Sequence, residues 1–153
     1  MASTLHPDQI RKLIQAKIKP GCIIKIFCDF IYDPKYKYCV IVHTDYEDEI
    51  LLFFLVNSNI PNFIKQSPDL YRCQLTLTKK DYPFFPKEES YLNCAELFDK
   101  LTLNEVIDHL VRVPNDFIGN LNDNEIKSII DIVRASRTIS SDDRDLIIAS
   151  LDN

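Results

Sequence analysis

The residues able to do chemistry are few, and their spacing excludes more than it allows. Five cysteines, Cys22, Cys28, Cys39, Cys73 and Cys94, are odd in number, and no two sit at the two-residue spacing that metal and redox sites favour. They read as reduced core residues. Three histidines, His6, His43 and His109, stand far apart with no i, i+4 pair, so no metal and no cofactor is expected. Only two glycines occur, Gly21 and Gly119, which rules out a glycine-rich phosphate loop. What remains is a stretch in which Lys35 and Lys37 alternate with Tyr36 and Tyr38, Tyr32 lies just before and His43 follows. Lysines can meet phosphates, exposed rings can stack on flat groups and an imidazole can take a hydroxyl proton. Each residue also has an ordinary role. Strand tyrosines are often packing, and His43 fits equally a surface histidine before the acidic turn 45–49.

These residues must be positioned by a fold, and the hydrophobic pattern supplies one. Pro7 opens a segment in which Ile10, Leu13, Ile14 and Ile18 form one stripe, predicting an amphipathic helix over 7–18. Pro20-Gly21 breaks it. Residues 22–30 then read as a β-branched and aromatic strand, 31–36 as a loop around Pro34, and 37–43 as a second strand paired with the first. Residues 49–56 are apolar almost throughout, as suits a strand covered on both faces. Residues 57–70 and 81–89 read as proline-punctuated loops, with strands expected at 71–77 and 90–97. Beyond residue 100 the period changes to that of helices, with capping-box spacings at Thr102/Glu105, Asn122/Glu125 and Ser140/Asp143. The expected fold class is α+β: a small antiparallel SH3-like barrel of five or six strands, with an N-terminal helix and C-terminal helices. Residues 1–20 form a helical extension, and 21–153 a single domain.

Size and charge set the remaining limits. A chain of 153 residues can bury a full core without a staple. No run approaches the ~20 apolar residues needed to cross a bilayer, and the first residues lack a signal-peptide pattern, so a cytoplasmic protein with no membrane partner is expected. The net charge of −5 is uneven: residues 1–80 hold 11 Lys+Arg against 8 Asp+Glu, and residues 81–153 hold 7 against 15. The first half can present a modest basic surface to a polyanion, short of the concentrated footprint of most nucleic-acid binders, and a solvated mixed surface with an acidic helical face accounts for the same charges.

The order of these pieces resembles the MazF/PemK family of toxin endoribonucleases over about residues 21–137. Gly21-Cys22-Ile23-Ile24 is similar to the family's opening strand, and Lys37-Tyr38-Cys39-Val40-Ile41-Val42 to its second. Leu55-Val56-Asn57-Ser58 is similar to the polar end of its third strand. Ser90-Tyr91-Leu92-Asn93-Cys94-Ala95-Glu96-Leu97 and Ile118-Gly119-Asn120-Leu121 are similar to its last barrel strand and the lead into its C-terminal helix. The resemblance implies a toxin-like endoribonuclease of a toxin–antitoxin system, a homodimer that cleaves single-stranded RNA without a metal and is held by an antitoxin protein. It implies Lys37 and Ser58 as catalytic residues, with Asn57 the alternative to Ser58; residue chemistry adds His43 as the natural general base and Lys35, Tyr36, Asn57 and Arg72 as RNA contacts. Lys37-Tyr38 stands where the family has Arg-Pro, which keeps the charge and loses the bidentate fork. The alternative is a catalytically inactive barrel that serves as a protein-interaction module.

Overall fold

A computed structural model describes residues 5–152; residues 1–4 of the expected extension lie outside it. Helix α1 (Pro7–Lys17) leads into strands β1 (Cys22–Cys28), β2 (Lys35–Asp45) and β3 (Ile50–Asn57). Two single-turn helices, α2 (Asn62–Lys65) and α3 (Pro68–Tyr71), precede β4 (Gln74–Thr78) and β5 (Glu89–Phe98). Helix α4 (Leu103–Arg112), a 3₁₀ turn at Pro114–Asp116, strand β6 (Phe117–Asn120), and helices α5 (Asp123–Ala135) and α6 (Ser141–Leu151) complete the chain. The strands form one sheet in the order β4-β5-β3-β2-β1-β6, antiparallel at every pairing and curled into a half-barrel. This is the expected α+β class, with β4 and β6 at the two edges.

The sheet is covered on both faces, and side-chain alternation sorts its residues into two cores. Ile23, Val40, Val42, Phe54 and Val56 meet Ile129 and Val133 of α5 and Ile147 of α6. Their neighbours Ile24, Cys39, Ile41, Phe53 and Leu55 point the other way, onto Ile14 of α1 and Val106 and Leu110 of α4. That is why residues 50–57 carry no polar alternation. Every side chain from Leu51 to Val56 is buried on one side or the other.

Three sequence expectations shift. The loop expected at 57–70 contains α2 and α3, the latter started by Pro68 at a first helical position with Ser67 as its cap. The strand expected from residue 71 begins only at Gln74. The last strand, β6, lies outside the predicted set because four residues with Gly119 at their centre carry no readable alternation; it is held by pairing with Cys22–Ile24.

Candidate functional site

The candidate site lies where β2 begins and β3 ends, beyond the reach of both helical layers. Cys39–Val42 are buried, but the four residues before them in β2 run from exposed to half-buried. Antiparallel pairing places Cys39 opposite Leu55, so continuing two residues further brings Lys37 opposite Asn57 on the same face. The Lys37 ammonium donates to Asn57 Oδ1 at 2.6 Å. Burial, reinforced by the like charge of Lys35, holds the Lys37 pKa below the usual lysine range. An oriented, partly desolvated ammonium of this kind is a strong partner for an incoming anion.

Two shallow cavities, each about 240 Å³, meet at this point, and both are lined by Lys35, Lys37 and Asn57. One continues past Ser58, Tyr38 and Phe85 to Ser90. The other runs under the loop after β1 to Tyr32, Phe63 and Glu96. Neither is lined by a residue of α1, so the first helix does not close the groove. Beneath Lys37 lie two thiols: Cys28 Sγ donates to the Ile26 carbonyl and Cys39 Sγ to the Lys37 carbonyl. Cys28 pairs with Lys35 and Cys39 with Ile24, four residues apart in register. Their side chains reach back toward one another across the pair, and the contact with Cys39 holds the Cys28 pKa below the usual thiol range while burial pushes that of Cys39 up.

Of the seven candidate catalytic and RNA-contact residues, five gather here: Lys35, Tyr36, Lys37, Asn57 and Ser58. Lys35 lies 3.8 Å from Asp33 in a loose surface pair. Tyr36 is 56% exposed and meets Phe27 edge-on, leaving most of its ring free. Tyr38 is packing rather than a platform, set against Phe84 and Phe85 with its hydroxyl on the Phe84 carbonyl.

His43 does not join them. It sits six residues along β2 from Lys37, about 20 Å away. Strict alternation would keep the two on one face, but the β2–β3 register slips between Ile41 and His43, pairing His43 with Leu52. The extra residue turns His43 to the face of α5 and α6, where its Nδ1 lies 2.6 Å from Ser150 Oγ. The histidine expected from sequence as the general base therefore lies outside the groove. Arg72 is also elsewhere, following α3 with its guanidinium on Asp69 at 2.9 Å, and it lines neither cavity.

Two contributions went unread in the sequence. Asn57, expected as an RNA contact, also orients Lys37 through its side-chain carbonyl. Phe85 and Ser90 form a wall from a distant part of the chain, foreshadowed only by the aromatic pair inside the loop 81–89. Comparison with known families, with curated proteins and with solved structures finds no match to this chain.

Proposed function

We propose that the groove at the β2–β3 end binds single-stranded RNA and supports its cleavage without a metal, as in a toxin-like endoribonuclease of the MazF/PemK kind. The observation that carries this reading is the half-buried Lys37 ammonium, aimed by Asn57 and opening with Ser58 onto one cavity. Lys35 extends the charge along the strand, and the free face of Tyr36 offers a base somewhere to stack. In the reaction the 2′-oxygen bonds to phosphorus as the bond to the 5′-oxygen breaks. The 2′-hydroxyl gives its proton to water and the 5′-oxygen takes one up, leaving a cyclic phosphate and a 5′-hydroxyl. Lys37 would hold the charge that builds on the phosphorus oxygens between these states. On this reading the protein is a cytoplasmic homodimer whose groove an antitoxin protein covers.

A second reading, the catalytically inactive interaction module, draws on the exposed rings of Tyr32 and Phe63 along the neighbouring cavity. One experiment separates the two. Labelled single-stranded RNA is incubated with the protein in chelator, and affinity is followed against salt. The nuclease reading expects cyclic-phosphate ends and a 100- to 1,000-fold loss of rate in Lys37→Ala, on the order of what one transition-state donor contributes. Lys37→Arg should retain or raise the rate. Salt-sensitive binding without cleavage would leave an RNA-binding module, and neither would leave the protein-interaction reading.

A further inference from the structure

The cavity under the loop after β1 is lined by the two most exposed large hydrophobic side chains of the described residues, Tyr32, which is fully exposed, and Phe63, which is 66% exposed. Its floor is the sheet face that Lys37 and Asn57 share, continued onto β5 by the pairing of Leu55 with Asn93. Tyr32 stands on the connection between β1 and β2, at one side of that floor. Phe63 belongs to α2 and also borders Ala95 and Leu97 of β5, at the other side. Phe27 and Tyr36 cover part of each other, whereas neither Tyr32 nor Phe63 has an aromatic neighbour among the described residues. Two rings left bare along one concavity mark it as a place where flat apolar surface is covered.

The polar groups narrow down what covers it. Lys35 and Lys37 both line the cavity, and Asn57 fixes the Lys37 ammonium, which suits a phosphate. Two carboxylates line it as well. Asp33 pairs with Lys35 at 3.8 Å. Glu96 is exposed and forms no ion pair among the described residues, although two lysines share its cavity. A free carboxylate beside lysines that meet phosphate weakens a polyanion unless it accepts from a donor on the same ligand. Phosphate charge, a flat apolar face and N–H donors together describe a nucleotide. Guanine alone among the four RNA bases presents two adjacent N–H donors on its Watson–Crick edge, which the two oxygens of one carboxylate accept.

We propose that this cavity is a base pocket of the Lys37 groove, taking one unpaired guanine between Tyr32 and Phe63, with its donor edge on Glu96 and an adjoining phosphate at Lys35 and Lys37. The pocket rests on the RNA reading of that groove and adds to it a base identity and three residues outside the chemistry of cleavage. Tyr32 and Phe63 supply stacking, which any base receives. Glu96 supplies the choice between bases.

The test is a fluorescence-anisotropy titration of the full chain with labelled 2′-O-methyl pentamers UUXUU, where X is G, A, C or U and the blocked 2′-hydroxyl prevents cleavage during binding. The G pentamer should bind about tenfold more tightly than the other three, the discrimination one bidentate pair gives. Tyr32→Ala and Phe63→Ala should each weaken every pentamer by about 5- to 100-fold, the range that stacking on one ring contributes, and Tyr32→Phe should keep the wild-type affinity. Both side chains are exposed, so neither loss follows from misfolding. Glu96→Ala should abolish the preference for G without weakening the U pentamer. Equal affinity for all four pentamers, or a G preference that survives Glu96→Ala, would overturn the pocket and leave the Lys37 groove standing. So would unchanged affinity in both ring variants, which would leave Tyr32 and Phe63 to a protein partner. Binding of no pentamer at all would overturn the RNA reading and the pocket together.

Discussion

Tyr82→Phe is expected to destabilise the protein by about 1.5–3 kcal/mol, because one hydroxyl joins the loop after β4 to the start of α5. Tyr82 is 3% exposed; its oxygen accepts the Asn122 backbone N–H at 2.9 Å and donates to Glu125 Oε1 at 2.7 Å. The Asn122 side chain makes no capping bond of its own. The tyrosine thus stands in for the cap, tying together two groups that a capping box would join directly. Phenylalanine keeps the ring and its packing against Phe84 and Phe85, so the change isolates the oxygen. One neutral hydrogen bond contributes about 1 kcal/mol and one to a carboxylate about 1.5–3, less what Glu125 regains from water. At roughly 2–4 °C per kcal/mol for a chain of this size, the melting temperature should fall by about 3–12 °C. Burial, the largest cause, pushes the Tyr82 hydroxyl well above its ordinary pKa of about 10. A folded pKa above the unfolded value means that this stabilisation is complete below about pH 10 and is lost as pH rises beyond it. The wild-type advantage over Tyr82→Phe should therefore shrink above pH 10. Urea and thermal unfolding followed by circular dichroism measure both effects. A difference under about 0.5 kcal/mol at neutral pH would refute the capping argument.

Three further outcomes follow from the same coordinates. Phe53→Ala should cost about 3–5 kcal/mol in urea titration, since Phe53 is fully buried, stacks on Phe98 at 5.8 Å and meets Phe30 edge-on at 5.8 Å; a cost under 2 would mean the cluster collapses around the void. Lys37→Met should raise neutral-pH stability by about 0.5–1 kcal/mol, because it removes a charge that burial disfavours. That gain should fade with rising pH as the wild-type lysine deprotonates, and a less stable variant would show the Asn57 bond to dominate. Thiol titration should find Cys22, pushed up to about 11 by burial, and the equally buried Cys39 and Cys94 unreactive until the chain is unfolded. Rapid native labelling of any of the three would contradict the packing.

The legible parts of the fold were those where one period persists. The stripe from Ile10 to Ile18, the apolar run of β3 and the capping spacing at Thr102 each express a local rule, and each element formed where that rule placed it. Thr102 does accept the Glu105 N–H. At Asn122 the helix start was legible but its device was not, because the atom completing it belongs to a residue forty positions earlier. The same limit governs the site. Lys37 and Asn57 meet because two strands are in register, which spacing along one strand can suggest; His43 is lost to a single bulge, which alternation cannot anticipate. His109 was unreadable as anything but isolated, since its partners Asp116 and Lys25 come from a turn and a strand edge that only the fold brings together.

Two concavities sit at places where secondary structure runs out. The Lys37 groove opens where β2 and β3 extend past the helices on either face, and a cavity beside His109 where β6 stops short along β1. At such ends a polar side chain costs the core little, so Lys35, Lys37, Asn57 and Asp29 can be placed there without disturbing either hydrophobic layer. Lys35 and Lys37 line the first, Asp29 and Glu105 stand in the second beside Arg112, and Tyr36 lines both. Because Tyr36 stands half-exposed beside Lys35 and Lys37, Tyr36→Ala should weaken single-stranded RNA binding by removing the ring on which a base would stack, and an unchanged affinity in a filter-binding titration would show that the ring takes no part.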